Sequence, residues 1–125
     1  MDSRFGTAIT CIDGRIQEPV AAWLKGKYLL DFVDVISEPG VDRVLATEPP
    51  AAQEHLRDEV QLSVERHGST VVAVVAHHDC ASNPGTREEH VTQLRRALEI
   101  VRSWGFSSTV EALWVNERWE VEAVG

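Results

Sequence analysis

The sequence predicts an α/β fold, a three-layer sandwich in which a mostly parallel sheet lies between helices. Apolar runs of strand length alternate along the chain with longer helical patterns, which is typical of this class. The run TVVAVVA, residues 70–76, is apolar on both faces, as is usual for a central parallel strand that is covered above and below. The last apolar segment alternates with charged residues, which predicts an antiparallel strand at one edge of the sheet. A chain of 125 residues favours a single domain, residues 1–125.

Two strands and one helix are predicted in the first part of the chain. FGTAIT, residues 5–10, is a short first strand, and DFVDVIS, residues 31–37, is a second strand rich in β-branched residues. Residues 18–27 are predicted to form the helix between them, because Pro19 suits a first helical turn. Residues 40–50 are predicted to be a loop with room for one helical turn.

Two longer helices are predicted further along the chain. The first runs from Pro50 to Gly68, since apolar residues recur every four positions and glycine is a common helix end. The second begins at Thr86, which forms a capping box with Glu89, and closes at Gly105. The apolar stripes of the two helices are Ala52, Leu56, Val60 and Val64 in the first, and Val91, Leu94, Leu98 and Val101 in the second.

Two strands are predicted after the last helix. TVEALWV, residues 109–115, is a fourth strand, and a tight turn at residues 116–117 leads to RWEVEAV, residues 118–124. In this last strand the apolar residues alternate with two glutamates, so we expect one face to be solvated. The residues expected to face inward are Trp119, Val121 and Ala123, with Trp119 a candidate for a subunit contact.

Composition excludes several classes of partner. The net charge is −8 and no Lys/Arg cluster is present, which argues against nucleic acid. No apolar segment approaches the about 20 residues that a membrane span requires, and the N-terminal MDSRFGTAIT lacks the features of a signal peptide. We therefore expect a cytoplasmic protein, in which the two cysteines are thiols or metal ligands more readily than a disulfide.

Polar residues follow two of the predicted strands at the point where each strand ends. Cys11 follows the first strand, and His77 and Cys80 follow the third. Ligands of α/β sheets bind outside the carboxyl ends of the strands, so these three side chains converge if the two strands are neighbours. Cysteine and histidine are preferred zinc ligands, and three protein ligands leave a fourth position open, as in catalytic zinc sites.

Asp13 and Arg15 lie beside this group in the sequence. If the chain stays extended after the first strand, residues 11, 13 and 15 share one side, and Arg15 can hold Asp13 through a forked, charge-assisted pair. A nearby guanidinium favours the ionised carboxylate. Asp13 could then orient a zinc-bound hydroxide, or could itself take the fourth zinc position, and the pattern leaves both open. His78 is a candidate proton shuttle, although a bystander role is expected for it.

These residues carry a family resemblance. Cys11-Ile-Asp13-Gly-Arg15 followed by His77-His-Asp-Cys80 resembles the C-x-D-x-R and H-x-x-C motifs of the β-class carbonic anhydrases. The resemblance implies Zn²⁺ held by Cys11, His77 and Cys80, with Asp13 and Arg15 as a catalytic dyad beside the metal. It also implies a sheet in the order 2-1-3-4 with an antiparallel edge strand, and hydration of CO2 to bicarbonate by a zinc-bound hydroxide.

The chain departs from the family pattern at two places. Ala81 and Ser82 follow Cys80, where the family usually has two glycines, and SEPGV, residues 37–41, replaces the usual Arg-Asn-Ala-Gly run. Two alternatives therefore stay open: hydrolysis of carbonyl sulfide or carbon disulfide at the same zinc, and a non-catalytic zinc-binding protein on the same fold. Because the sheet is short, we expect a homodimer or higher homo-oligomer that shares its core and cleft.

A cysteine phosphatase is a further alternative. Such a loop needs an arginine after five intervening residues, and in CASNPGTR six residues separate Cys80 from Arg87.

Overall fold

A single mixed sheet forms the centre of the computed structural model, which describes residues 3–124. Its order is β2-β1-β3-β4-β5; the first four strands are parallel, and β5 runs antiparallel to β4. The predicted order 2-1-3-4 with an antiparallel C-terminal edge is thereby confirmed. Within the described residues the strands are β1 (Phe5–Thr10), β2 (Phe32–Ser37), β3 (Val71–His77), β4 (Thr109–Val115) and β5 (Val121–Val124).

Helices cover both faces of this sheet. One face packs against α1, and the other packs against α2, α3 and α4, so that two apolar clusters lie on either side of the strands. Every residue of β3 is buried, as expected for a central strand. The helices of residues 3–124 are α1 (Gly14–Tyr28), α2 (Val41–Thr47), α3 (Pro50–His67) and α4 (Arg87–Ser103).

The first helix begins earlier than the sequence predicts. Asp13 is its N-cap, and the Asp13 carboxylate accepts a hydrogen bond from the Arg15 backbone N–H at 2.9 Å. An aspartate in this position satisfies one of the unpaired N–H groups of the first helical turn. The expectation that residues 11–15 stay extended is therefore wrong, because the chain turns into α1 at Gly14.

Residues 41–47 form a helix where a loop with room for one helical turn was predicted. Val41 and Leu45 are both fully buried on one side of α2. The Gln53 side-chain amide of α3 donates to the carbonyls of Leu45 and Glu48, at 2.9 Å in each case, and so pairs the free end of α2. A helix this short is stabilised by these tertiary contacts rather than by local propensity.

The last strand is shorter than predicted. Trp119 lies in the turn before β5 with a φ of 60°, and its backbone N–H donates to the Asn116 carbonyl at 2.9 Å. Within β5 the buried residue is Val124, whereas Ala123 is exposed. The predicted inward face is therefore wrong at Ala123, which is exposed on the edge strand, whereas Val124 on the other face of β5 packs into the apolar cluster with α4.

No helix within residues 3–124 combines the length and the apolar character that a membrane crossing needs.

A buried polar network joins α2, α4 and the segment after β3. The Asp42 carboxylate accepts from His90 Nδ1 at 2.6 Å and from the Asn83 amide at 3.0 Å, and the side chains of Asp42 and His90 are each only 3% exposed. His90, for which the sequence suggests no role, also contacts the Trp114 ring, at 5.3 Å between centroids. Removal of Asp42 would leave His90 Nδ1 buried without its partner, whereas Asn83 would keep its bond to the Gln93 side chain at 2.7 Å.

We expect Asp42→Ala to lower the free energy of unfolding by about 3 kcal/mol or more, because it leaves His90 buried without its acceptor. Urea denaturation followed by circular dichroism measures this. The matched control is Glu99→Ala, which breaks an exposed ion pair with Arg96 and should change little. Equal losses in the two variants would contradict a stabilising role for the network.

Candidate metal centre

Two parallel strands bring three candidate ligands to one edge of the sheet. β1 pairs with β3, with Ile9 opposite Val74, so the residues that follow both strands emerge side by side. Cys11 follows β1, His77 ends β3, and Cys80 lies three residues further on. All three are buried, and their candidate ligand atoms lie within 4.8 Å of one another. The convergence expected from the sequence is thus present.

The two sulfur atoms are separated by a distance that suits a shared ion. Sγ of Cys11 lies 3.9 Å from Sγ of Cys80, and both residues are free cysteines. A disulfide would need about 2.05 Å. Two sulfurs bound at about 2.3 Å to one tetrahedral zinc lie about 3.8 Å apart. The sulfur positions therefore fit a common metal ion rather than a covalent bond.

His77 presents a free lone pair in the same place. Its Nδ1 lies 2.7 Å from the carbonyl oxygen of His78, and because a carbonyl can only accept, Nδ1 is the protonated nitrogen. Nε2 then carries the lone pair, and it is buried with no hydrogen-bond partner among residues 3–124. An unpaired buried acceptor is costly. A metal ion is a natural partner for it, because a backbone carbonyl commonly orients a ligating imidazole in this way.

The electrostatics of the two buried cysteines also favour a bound cation. Burial raises the pKa of the Cys80 thiol, and the neighbouring Cys11 sulfur raises it further, while the Ser82 hydroxyl opposes the shift. Two adjacent buried thiolates are therefore unfavourable without a compensating positive charge. A divalent cation supplies that charge, and a coordinating thiol is deprotonated by its metal. The donor set of two sulfurs and one imidazole nitrogen is one that zinc prefers.

Asp13 and Arg15 form the forked pair beside these residues. Arg15 donates through Nε to Oδ1 at 3.0 Å and through Nη2 to Oδ2 at 2.7 Å. These side-chain hydrogen bonds, opposed by partial burial, lower the pKa of Asp13 to about 2. The carboxylate is therefore ionised at neutral pH. The geometry comes from the start of α1 and not from an extended chain.

Arg15 has further contacts that the sequence does not reveal. It donates through Nη1 to the Asp79 carboxylate and through Nη2 to the Asp79 carbonyl, both at 3.2 Å. Its guanidinium carbon also lies 4.4 Å from the centre of the Trp119 ring. Arg15 thus joins the starts of three segments, those that follow β1, β3 and β4. Trp119 therefore contacts Arg15 within its own chain, and a subunit contact at Trp119 stays a prediction.

The segment after Cys80 is supported from α2. Gly40 has a φ of 60°, and a Cβ atom there would lie 3.1 Å from the Ser82 hydroxyl and 3.2 Å from the Asn83 Cβ. The left-handed conformation and this close approach both favour glycine. Asn83 is then fixed by Asp42 in the buried network described above. No single motif would have revealed Gly40, Asp42 and Asn83, since they meet only through the fold.

The structure does not support the phosphatase alternative. Arg87 donates to Glu122 of β5 at 3.1 Å, so its guanidinium is engaged away from the Cys80 loop. A nucleophilic cysteine also needs a lowered thiol pKa, whereas burial raises that of Cys80.

Comparison with known proteins connects this chain to one family. The family model described as "Putative carbonic anhydrase" matches residues 1–125. No curated protein matches the chain.

Three solved structures resemble its fold at low identity. β-Carbonic anhydrase isoform I of Trichomonas vaginalis is 12% identical, with a TM-score of 0.63 over 94% of this chain and 81% of that one. Carbonic anhydrase of Streptococcus mutans is 15% identical, with a TM-score of 0.55 over 99% and 84%. One of two tetrameric β-carbonic anhydrases of Sordaria macrospora is 10% identical, with a TM-score of 0.57 over 100% and 82%.

We expect Asp13→Ala to lower the free energy of unfolding by about 1 kcal/mol, because the variant loses the N-cap of α1. Asp13→Asn should retain most of this stability, since an amide oxygen also caps a helix. Chemical denaturation of the metal-free proteins measures both changes. If Asp13→Asn loses as much unfolding free energy as Asp13→Ala, the ion pair with Arg15, and not the helix cap, stabilises this segment.

Proposed function

The chain belongs to the family of β-class carbonic anhydrase-like proteins, and on that premise we propose that it hydrates carbon dioxide to bicarbonate with the help of zinc. The observation that carries the proposal is the buried group of Cys11, His77 and Cys80, in which Nε2 of His77 has no hydrogen-bond partner within the described residues. These three residues would hold the metal. When bound, zinc acts as a Lewis acid and lowers the pKa of water toward neutrality.

Asp13 is proposed to orient the reacting water. Its Oδ1 accepts two hydrogen bonds from Arg15, whereas Oδ2 accepts one, so Oδ2 retains acceptor capacity. Because its pKa is about 2, Asp13 remains a pure acceptor and does not protonate the nucleophile. A water hydroxyl that donates to Oδ2 is held with its lone pair directed elsewhere, toward the carbon of a small linear substrate. Hydration forms one C–O bond and releases one proton to solvent.

Arg15 is proposed to keep Asp13 in place and not to move a proton. Its guanidinium contacts both the Asp13 carboxylate and the Asp79 backbone, so the two segments that carry the cysteines cannot shift independently. An arginine does not lose its proton in this pH range, and the hydrogen bonds that it donates to the Asp13 and Asp79 carboxylates raise its pKa further.

Two alternatives share the same metal site. One is hydrolysis of carbonyl sulfide or carbon disulfide, since a water activated in this way attacks any small linear electrophile that the cleft admits. The other is a zinc-binding protein without catalysis, which the departures at Ala81, Ser82 and residues 37–41 motivate.

We also propose an oligomeric state, a domain organisation and a cellular location for the protein. The related β-carbonic anhydrases of Sordaria macrospora are described as tetrameric, which supports a homo-oligomer here. The family match over residues 1–125 supports one domain. The cytoplasm suits a pair of buried reduced cysteines, because such compartments keep thiols reduced.

We expect the purified protein to hold one zinc per chain, and Cys80→Ser and His77→Gln to lose most of it, because each removes one of three ligands. Metal analysis after dialysis against a weak chelator measures this. His67→Gln, at the far end of α3, is the matched control and should keep its zinc. Full occupancy in Cys80→Ser would refute the ligand assignment.

We expect zinc-loaded wild-type protein to hydrate CO2 and Asp13→Asn to lose about 10²-fold or more of the rate, because the amide can also donate and no longer fixes the hydroxyl direction. Stopped-flow CO2 hydration on samples of measured zinc content tests both. Glu65→Gln, on the exposed face of α3, controls for loss of one negative charge. A zinc-loaded but inactive wild type would favour the two alternatives, which an assay with carbonyl sulfide and carbon disulfide separates.

A further inference from the structure

Two residues beside the candidate metal centre hold a backbone conformation that is unusual for their type. Asp79 has a φ of 58° and Trp119 a φ of 60°, both in the left-handed region that favours glycine. Among residues 3–124, the other non-glycine residue with a positive φ is Leu29 at the end of α1. Such a residue stays in this region only where its surroundings hold it there, and residues of this kind cluster at functional sites. Asp79 and Trp119 share one neighbour, Arg15, which contacts both.

Trp119 is held by the turn between β4 and β5. Its backbone N–H closes the turn on the Asn116 carbonyl at 2.9 Å, and the Asn116 side-chain oxygen accepts from the N–H groups of Arg118 and Glu120, at 2.9 and 3.0 Å. Asparagine is a usual residue at the start of such a turn, whereas the left-handed residue that ends a short hairpin loop is usually glycine. The geometry of the turn therefore does not account for a tryptophan here, and the contacts of its side chain give the reason.

The Trp119 ring covers one face of the Arg15 guanidinium. The guanidinium carbon lies 4.4 Å from the ring centre, which is within the range of a cation–π contact. The hydrogen bonds of this guanidinium to Asp13 and Asp79 run from its edge, because all of its N–H groups lie in its plane. They fix the group within that plane and leave its two faces open to water. The ring closes one face, so it restrains the motion that the hydrogen bonds leave free.

The same ring also contacts the segment after β3. It meets the His78 ring edge-on, with 6.3 Å between centroids, which is within the range of aromatic pairs. The His78 carbonyl in turn accepts from Nδ1 of His77. Trp119 packs in addition against the apolar cluster that lies between α1 and the sheet. It thus contacts both Arg15 and the segment that carries two of the three candidate ligands.

We propose that Trp119 is a positioning residue of the metal centre, whose ring holds Arg15 and, through Arg15, the Asp13 carboxylate beside the candidate ligands. This role rests on the proposed function, because the water that Asp13 orients belongs to that proposal. The side chains of Arg15 and Asp79 are 46% and 70% exposed, so water competes for the hydrogen bonds between them. A ring that excludes water from one face keeps the guanidinium in its fork with Asp13. If Trp119 only covered apolar surface, a leucine would serve equally well.

Replacement of the ring by leucine tests the proposal, because leucine keeps an apolar contact and removes the aromatic face. In zinc-loaded protein, Trp119→Leu should lower kcat for CO2 hydration about tenfold, since a small displacement of an orienting group is costly, with KM and zinc content unchanged. Trp119→Phe should retain most of the rate. The matched control is Trp104→Leu, which removes a half-buried tryptophan on the other face of the sheet and should keep the rate of the wild type. Circular dichroism verifies the fold of each variant.

A double variant shows whether Trp119 acts through Asp13. When Asp13→Asn is already present, the further change Trp119→Leu should cost no additional rate, because two changes that act on one interaction are not additive. An unreduced kcat in Trp119→Leu, an equal loss in Trp119→Phe, or additive losses in the double variant would each overturn the proposal.

A measurement without substrate separates this role of Trp119 from the proposed function. In ¹H–¹⁵N spectra of the purified protein, the Nε–H signal of Arg15, assigned by its loss in Arg15→Lys, should lie upfield because of the Trp119 ring current. It should move toward the position of exposed arginines in Trp119→Leu and not in Trp119→Phe. If the wild type does not hydrate CO2, the proposed function is wrong and this signal decides alone: a displaced signal in Trp119→Leu supports the placement of Arg15 by Trp119, and an unmoved signal overturns it.

Discussion

The parallel pairing of β1 with β3 is the constraint on which the site depends. Cys11 and Cys80 are 69 positions apart in the chain, yet their sulfurs lie 3.9 Å apart because both follow neighbouring strands at the same edge. β3 has no exposed residue, so its position is held by burial on both faces of the sheet. The polar residues then need no long loop to meet, since the strand ends deliver them directly. This is the general location of ligand sites in open α/β sheets, and here it brings together two sulfurs and one imidazole.

Contacts from neighbouring residues fix the orientation of the three side chains Cys11, His77 and Cys80. The carbonyl of His78 sets the tautomer of His77, and Gly40 lets the segment after Cys80 lie against α2. Arg15 closes the opposite side by contacts with Asp13 and with the residue before Cys80. Such partners orient metal ligands and exclude alternative geometries. The departures of this chain from the usual family pattern lie among these supporting residues, whereas the residues proposed to hold the metal and to orient water match the pattern.

Much of this arrangement could be predicted from the sequence, for reasons that lie in its periodicity. The four parallel strands and two long helices have strong apolar patterns, and the residues at strand ends stand out by type. The helix α2 could not be predicted, because seven residues give too little periodicity and its end is paired by Gln53 from another helix. Arg15 was placed beside Asp13, but its contacts with Asp79 and Trp119 depend on how three loops fold over one another. Contacts of that kind have no local signature in a single sequence.

The long sequence separation within the site also sets an order of events during synthesis. Arg15 reaches Trp119 across almost the entire chain, and Cys11 cannot face Cys80 until β3 has joined β1. A nascent chain that has emerged only as far as α3 possesses one thiol of the group and no imidazole from it. Uptake of the proposed ion at this place would therefore come after the sheet has been assembled, and it would add stability to a finished fold instead of nucleating one. Zinc fingers, in which the ligands are close neighbours in sequence, represent the opposite case.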